Sequence, residues 1–216
     1  MTDENVEFRI VAGGPEYRSI TDALGELFDG NGTICLVVGY FTYNGYRSLR
    51  GDIERFLDRS PDNELVVVVG TASDQFSPRI ARDLWDMDTD GQVELYRYPL
   101  GLHAKLYLRD GPDPRMILTS ANLTQVAFRY NVELGVEIAT HDRDHPYIEP
   151  FRRWAEELVA SAKPLRQRDL FAPIQMKNTV VNWTNKGRLL PRQYVAKRIA
   201  KAAVLVVAFA FLIRFI

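Results

Sequence analysis

The chain has 216 residues, of which 46% are hydrophobic and 25% are charged, a composition that excludes a disordered polymer and suits one folded domain with an appendage. Its net charge of −1 hides an acidic region of residues 1–162, with 16 Lys/Arg and 27 Asp/Glu, and a basic region of residues 163–216, with 11 Lys/Arg and one acid. We therefore predict a domain over residues 1–162 and a basic C-terminal extension over residues 163–216.

The hydrophobic pattern alternates between amphipathic helices and apolar strands. Helices are predicted over residues 15–29, 46–59, 78–87 and 147–162. Strands are predicted over residues 33–41, 64–71, 93–98, 102–110, 115–119 and 131–139. Strand–helix alternation followed by a run of hairpins predicts an α/β sandwich in which helices flank a mixed sheet.

Two polar residues stand out in the predicted strand 102–110. Residues two apart share one face of a strand, so His103 and Lys105 are expected to point together. Lys105 is the only lysine in residues 1–162, where the other fifteen basic residues are arginine. An imidazole beside an ammonium suits phosphoryl chemistry, because one group can attack phosphorus and the other can hold phosphate oxygens. The pair alone is equally compatible with a half-buried strand that carries two incidental polar residues.

Further polar residues follow in a fixed order along the chain. Asp110 ends the strand that carries the pair, and Ser120 and Asn122 interrupt the next apolar strand. Asn131 and Glu133 then open the following strand, on one face. The order is His-x-Lys-x4-Asp, then Ser-x-Asn, then Asn-x-Glu.

This order resembles the phospholipase D superfamily, whose signature is His-x-Lys-x4-Asp followed by Gly-Ser-x-Asn. The resemblance covers residues 8–160 and implies a phospholipase D-like sandwich with one motif per chain. Two departures from the family pattern exist. Thr119 stands where the family usually has Gly, and the turn at residues 111–114 lengthens the hairpin. Neither departure touches a reacting group.

The resemblance implies a role for each candidate catalytic residue. His103 attacks phosphorus and forms a phosphohistidine, while Lys105 and Asn122 bind the non-bridging phosphate oxygens. Ser120 either contacts phosphate or supports the site. Glu133 accepts the second N–H of the His103 ring and fixes its tautomer.

Two further residues, Asp110 and Asn131, are expected to support the site rather than react. No metal and no cofactor are expected, since lysine and asparagine supply the electrophilic clamp. The segment His141-Asp-Arg-Asp-His145 has the composition of a metal cluster. Charged neighbours in a loop are more often simply solvated, and we favour that interpretation.

A single motif also predicts the assembly. Many members of the superfamily carry two His-x-Lys motifs, whereas this chain has one and no internal repeat. Members with one motif pair two identical subunits, so that both histidines share one cleft. We expect a homodimer in which the partner subunit's His103 protonates the leaving oxygen and then activates water.

Three functions fit these features. The first is a metal-independent endonuclease that cleaves DNA or RNA, because small single-motif relatives often read Ser-x-Asn-Leu-Thr and then Asn-x-Glu, as residues 120–124 and 131–133 do here. The basic extension would then assist nucleic-acid binding. The second is a lipid phosphodiesterase at a membrane. The third is an inactive scaffold or nucleic-acid-binding module, which the intact motif argues against.

The end of the chain bears on where the protein resides. Residues 186–201 contain six basic residues and no acid, and residues 202–213 are twelve consecutive apolar residues. A bilayer span needs roughly 20 apolar residues, so this segment is short. Two interpretations stay open, namely attachment to the inner face of the membrane and a C-terminal element buried in a dimer.

The remaining features favour a cytoplasmic location. The single cysteine, Cys35, lies in an apolar strand and is a core candidate, and one cysteine excludes an intrachain disulfide framework. The acidic N-terminal residues are not followed by the apolar stretch of a secretory signal.

Overall fold

A computed structural model describes residues 6–13, 16–70, 76–99 and 101–167. In this part of the chain the strands are β1 Val6–Ala12, β2 Thr33–Val38, β3 Glu64–Gly70, β4 Val93–Tyr98, β5 Lys105–Asp110, β6 Arg115–Thr119, β7 Leu134–Thr140 and β8 Lys163–Pro164. The helices are α1 Ile20–Phe28, α2 Tyr43–Arg59, α3 Pro78–Asp86, α4 Gln125–Arg129 and α5 Glu149–Ser161.

The strands form one mixed sheet in the order β1-β7-β6-β5-β2-β3-β4-β8. β2, β3 and β4 run parallel and are joined by the crossover helices α2 and α3. The other neighbours are antiparallel. Helices α1 to α4 contribute buried residues to the core on one face of the sheet, and α5 contributes to the core on the other. The predicted sandwich is confirmed.

Hydroxyl side chains set where the first four helices begin. Ser19, Thr42, Ser77 and Thr124 each accept a hydrogen bond from a backbone N–H in the first turn of the helix that follows. The predicted helix 15–29 is therefore wrong at its start, because the chain enters the helix only after Ser19. The caps at Thr42 and Ser77 fix α2 and α3 close to the predicted bounds.

Two predicted strands are shorter than expected. β5 begins at Lys105, which pairs with Val38, the last residue of β2. His103 therefore has no β2 residue with which to pair. β7 begins at Leu134, and no strand register extends to Asn131 or Glu133. These three polar residues lie in connecting segments, and their prediction as strand residues was wrong. Strands β1 and β8 and helix α4 were not predicted.

The central strands are buried on both faces, as their continuous apolar sequences predict. On β5, Tyr107 belongs to the core on one face, and Leu106 and Leu108 belong to the core on the other. Cys35 is buried in the second core, and burial raises the pKa of its thiol to about 12. It is a structural residue with an unreactive thiol.

A buried arginine ties helix α1 to the β5–β6 turn. The Arg109 guanidinium donates to the carbonyl oxygens of Glu26 at 3.0 Å, Leu27 at 2.9 Å and Asp113 at 3.0 Å. Its side chain packs so closely over Gly30 that a Cβ there would overlap it. Burial lowers the pKa of Arg109, since the charge is removed from water.

We predict that Arg109→Met lowers the free energy of unfolding by about 2–4 kcal/mol, because it leaves several buried carbonyl oxygens without a donor. Urea denaturation measures the change. Arg55→Met is the control, since Arg55 is exposed on α2 and, in the described part of the chain, forms an ion pair only with Asp52; it should change the stability by less than about 0.5 kcal/mol. Equal effects of the two substitutions would contradict this role.

Candidate active site

The candidate residues gather at the edge of the sheet where β2 and β3 end and β5 begins. Two glycines allow the segment before β5 to cross these strand ends. A Cβ on Gly39 would lie 2.8 Å from the Leu102 carbonyl oxygen, and one on Gly70 would lie 3.3 Å from it. Because a Cβ at Gly39 has no room, the sequence places glycine where residues 101–104 pass. This crossing carries His103 to the edge.

The side chains of His103 and Lys105 lie together. The Lys105 ammonium donates to the carbonyl oxygen of His103 at 2.6 Å. Its Nζ lies 3.2 Å from Nδ1 and 3.4 Å from Nε2 of the same imidazole. The imidazole is exposed, whereas Lys105 is only 4% exposed. The expected pairing is therefore present, although only Lys105 belongs to a strand.

Burial changes the electrostatics of Lys105. Loss of hydration lowers the pKa of its ammonium, and the Glu133 carboxylate partly opposes this shift. A cation in a poorly hydrated position acts more strongly on an approaching anion than one in bulk water. Lys105 is thus placed to stabilise charge on phosphate oxygens beside the imidazole.

Asn122 is oriented by the backbone of the segment that follows β2. Its Oδ1 accepts a hydrogen bond from the Tyr40 amide at 3.0 Å. Within the described residues nothing accepts from its Nδ2. Fixing the oxygen in this way leaves the two N–H donors of the amide for a ligand.

Tyr107 is a positioning residue that sequence reasoning missed. It lies two residues after Lys105 on the same strand face, and its hydroxyl donates to the Ala121 carbonyl at 2.7 Å. That bond fixes the carbonyl group of Ala121, the residue between Ser120 and Asn122. Burial raises the pKa of Tyr107, so the hydroxyl stays a donor. The alternation of Lys105 and Tyr107 on one face was the available signal.

The second half of the motif forms a small hydrogen-bonded cluster. The Ser120 hydroxyl donates to the Glu133 carboxylate and accepts from the Leu134 amide at 3.1 Å. Asn131 Nδ2 donates to the other Glu133 oxygen at 2.9 Å. The described contacts of Glu133 include no hydrogen bond to His103, so the role expected for this carboxylate is not seen within one chain. Ser120 here supports Glu133.

Gly135 on the neighbouring strand leaves room for Thr119, which stands where the superfamily usually has glycine. Thr119 pairs with Gly135 of β7, and a Cβ on Gly135 would lie 2.6 Å from the Thr119 Cβ. The Thr119 hydroxyl donates to the Leu134 carbonyl at 3.1 Å and accepts from the Ala121 amide at 3.2 Å. Gly135 thus leaves room for the threonine, although the Leu118 carbonyl oxygen, 2.8 Å from the same Cβ position, also requires a glycine there.

Asp110 lies at the opposite end of β5 from Lys105, about 17 Å away at about 3.3 Å per strand residue. Its carboxylate pairs with Arg143 at 3.0 Å and with Arg152 at 3.1 Å. These contacts link β5 to the loop before α5 and to α5 itself. They give Asp110 a structural role at the end of β5 that is remote from His103 and Lys105.

The two histidines of the segment 141–145 have separate environments. His141 Nδ1 lies 2.6 Å from an Asp113 carboxylate oxygen. His145 is buried and its ring packs 5.0 Å from that of Tyr147. No cluster of three or more potential metal ligands occurs in the described part of the chain.

Comparison of the fold with known proteins gives a clear result. No protein-family model and no curated protein matches the sequence. Nuc, a phospholipase D family member from Salmonella typhimurium, matches with a TM-score of 0.56 and 13% identity, over 74% of this chain and 99% of Nuc. The chain has the phospholipase D fold.

Two further structures share the phospholipase D fold with this chain. NucT from Helicobacter pylori has a TM-score of 0.53 and 16% identity, over 74% of this chain and 99% of NucT. Phosphatidylserine synthase from Haemophilus influenzae Rd KW20 has a TM-score of 0.61 and 17% identity, over 90% of this chain. This chain spans 47% of that synthase, about half of its length.

The basic extension beyond residue 167 and its apolar segment 202–213 lie outside the described residues. Among the helices that the structure does describe, none is both long and apolar enough to cross a bilayer.

We predict that Lys105→Met raises the free energy of unfolding at pH 7. Burial lowers the pKa of Lys105 below its ordinary value of 10.5, so the charged ammonium is less favourable in the folded chain than in the unfolded one. Between the lowered pKa and 10.5 the unfolded chain binds more protons, so this destabilisation decreases as the pH rises.

The stability advantage of the Lys105→Met variant over the wild type should therefore shrink as the pH increases from 7 to about 10.5, which urea denaturation at several pH values will show. Lys163→Met is the matched control, because Lys163 is exposed. A gain that grows with pH, or one that Lys163→Met reproduces, would contradict the argument.

Proposed function

We propose that the protein is a metal-independent phosphodiesterase, and most specifically an endonuclease that works through a phosphohistidine. One observation carries the proposal. The buried Lys105 ammonium lies beside the exposed His103 imidazole, at the same edge as the amide donors of Asn122. A nucleophile and donors for phosphate oxygens are thus brought together on a phospholipase D fold.

The proposed reaction has two steps. A His103 ring nitrogen attacks phosphorus, the phosphorus–oxygen bond to the leaving alcohol breaks, and the partner subunit's His103 supplies the proton that the alcohol takes. Water then attacks the phosphorus of the phosphohistidine and gives its proton to the partner subunit's His103, while the phosphorus–nitrogen bond breaks and its electron pair returns to the His103 ring. The products are a phosphomonoester and an alcohol. Lys105 and Asn122 hold the non-bridging oxygens in both steps.

Two features support a homodimer. The first is that the chain has one motif, whereas the proposed reaction needs two histidines. The sheet also exposes an apolar face beside the site, where Phe8, Ile10 and Leu134 are 54%, 56% and 65% exposed. The strand register places these residues on neighbouring strands. A second copy of the chain would bury this face and bring its own His103.

We predict that the protein cleaves plasmid or single-stranded DNA in EDTA and that His103→Ala reduces the rate by about 10³-fold or more, since the nucleophile is lost. Gel electrophoresis of the products measures cleavage. His141→Ala is the control, because His141 is an exposed histidine that contacts Asp113 rather than the site; it should cleave at the wild-type rate.

The same conditions distinguish the competing functions. Turnover of phosphatidylcholine without cleavage of any nucleic acid would replace the nuclease by a lipid phosphodiesterase. Tight binding of nucleic acid with no turnover of either substrate would identify an inactive binding module.

We predict that the double variant Ile10→Asp with Leu134→Asp is monomeric and inactive, because two carboxylates on the apolar face oppose its burial and the partner's His103 is lost. Analytical ultracentrifugation and the cleavage assay measure both effects. Val126→Asp is the control and should stay dimeric and active: Val126 is also 54% exposed but lies on α4, on the other side of the sheet. A monomeric wild-type enzyme with full activity would refute the shared site.

A further inference from the structure

We infer that a groove between α2 and α3 binds the sugar–phosphate backbone of the nucleic-acid strand that enters the active site. The inference rests on the proposed nuclease function and specifies the surface along which the substrate strand would lie. The groove has a volume of ≈590 Å³, and its walls are side chains of these two helices and of the residues that follow α3.

Positive charge lines one part of this groove. Arg47 and Arg50 come from α2 and Arg79 comes from α3, and all three are exposed. The Arg79 guanidinium lies 4.2 Å from the centre of the Tyr43 ring. Within the described residues neither Arg47 nor Arg79 forms an ion pair, and Arg50 forms one only with Glu54, at 3.5 Å. The groove is also lined by four carboxylates, Glu54, Asp58, Asp83 and Asp86, which lie further along the two helices. The positive charge is therefore confined to the end where α2 and α3 begin, beside the aromatic face of Tyr43, and this end suits nucleic acid.

The arginine part of the groove lies at the active-site edge of the sheet. Helix α2 begins at Tyr43, three residues after Tyr40, whose amide orients Asn122. The residues that lead into α3 are at the same edge, because the Phe76 and Phe41 rings lie 5.9 Å apart. From the start of α2 the first groove arginine is about 6 Å further along the helix. The arginine end of the groove and the candidate site therefore share one edge of the sheet.

The charge order along α3 opposes its dipole. Arg79 lies in the first turn of α3 and Asp86 lies in the last turn. The dipole favours acids at the start of a helix and bases at its end. An anion bound at the start of α3 would offset the unfavourable position of Arg79.

The charge of the rest of the domain helps to distinguish nucleic acid from lipid as the ligand. Residues 1–162 carry 16 basic and 27 acidic side chains, so most of this domain repels a polyanion. Three arginines from two helices can contact several phosphates of one strand, whereas a phospholipid headgroup usually offers a single phosphate. The groove therefore favours nucleic acid over lipid as the substrate class.

The test compares two triple variants of the full chain, both in a His103→Ala background so that the probe stays intact. The groove variant is R47Q/R50Q/R79Q. The control variant is R55Q/R82Q/R153Q, which removes the same charge from exposed arginines, two of them on the same helices and none in the groove. Fluorescence anisotropy measures binding of a single-stranded oligonucleotide between about 50 and 200 mM NaCl.

The groove variant should bind about tenfold more weakly or worse, and its plot of log affinity against log salt should be shallower by about 2, since about 0.7 is lost per phosphate contact. The control variant should keep the affinity and the salt dependence of the His103→Ala parent. Far-UV circular dichroism checks folding, and the single variant Arg47→Gln, with an expected change in slope of about 0.7, replaces the triple variant if that unfolds.

Equal binding by the groove and control variants overturns the inference. So does a groove variant that loses binding to phosphatidylglycerol vesicles but keeps its affinity for the oligonucleotide. The proposed function is tested separately by wild-type hydrolysis of bis(p-nitrophenyl) phosphate in EDTA. Absence of that hydrolysis refutes the enzyme, while the binding data still decide whether the groove holds nucleic acid.

Discussion

A buried ammonium is the constraint around which the candidate site is arranged. Lys105 is nearly inaccessible, and burying a cation is costly unless other groups replace its water. The His103 carbonyl replaces it directly at 2.6 Å. That carbonyl is in reach because the chain leaves the sheet before β5 and passes over Gly39 and Gly70. The turn that satisfies the charge is therefore the same turn that presents the imidazole.

The site combines groups on rigid strands with groups on loops that the strands hold. Lys105 and Tyr107 belong to β5, which pairs with β2 at both residues and with β6 from Leu106 onward. From there, Tyr107 fixes the Ala121 carbonyl, and the Tyr40 amide fixes the neighbouring side chain of Asn122. Each loop residue that would meet phosphate is thus attached to an element with little freedom. Such attachment is what preorganised transition-state stabilisation requires.

Much of this could be predicted from the sequence, because it depends on local pattern. The order of strands and helices follows from hydrophobic periodicity, and the polar motif predicted the proximity of His103 and Lys105. The ends of the strands could not be predicted. They depend on where a partner strand stops, as β2 does at Val38, and that is a property of the assembled sheet. The same limit hid the contacts of Glu133, whereas the placement of Tyr107 on the face of Lys105 could have been predicted from strand alternation.

The contact between Thr119 and Gly135 shows what the neighbouring strand can carry. A side chain at position 135 would overlap the threonine, with Cβ atoms 2.6 Å apart, and would also lie 2.8 Å from the Leu118 carbonyl oxygen. Because the second overlap is with the backbone, replacing Thr119 by glycine would not make room for a larger residue at position 135. The threonine is therefore tolerated beside a glycine that the backbone of this sheet requires in any case.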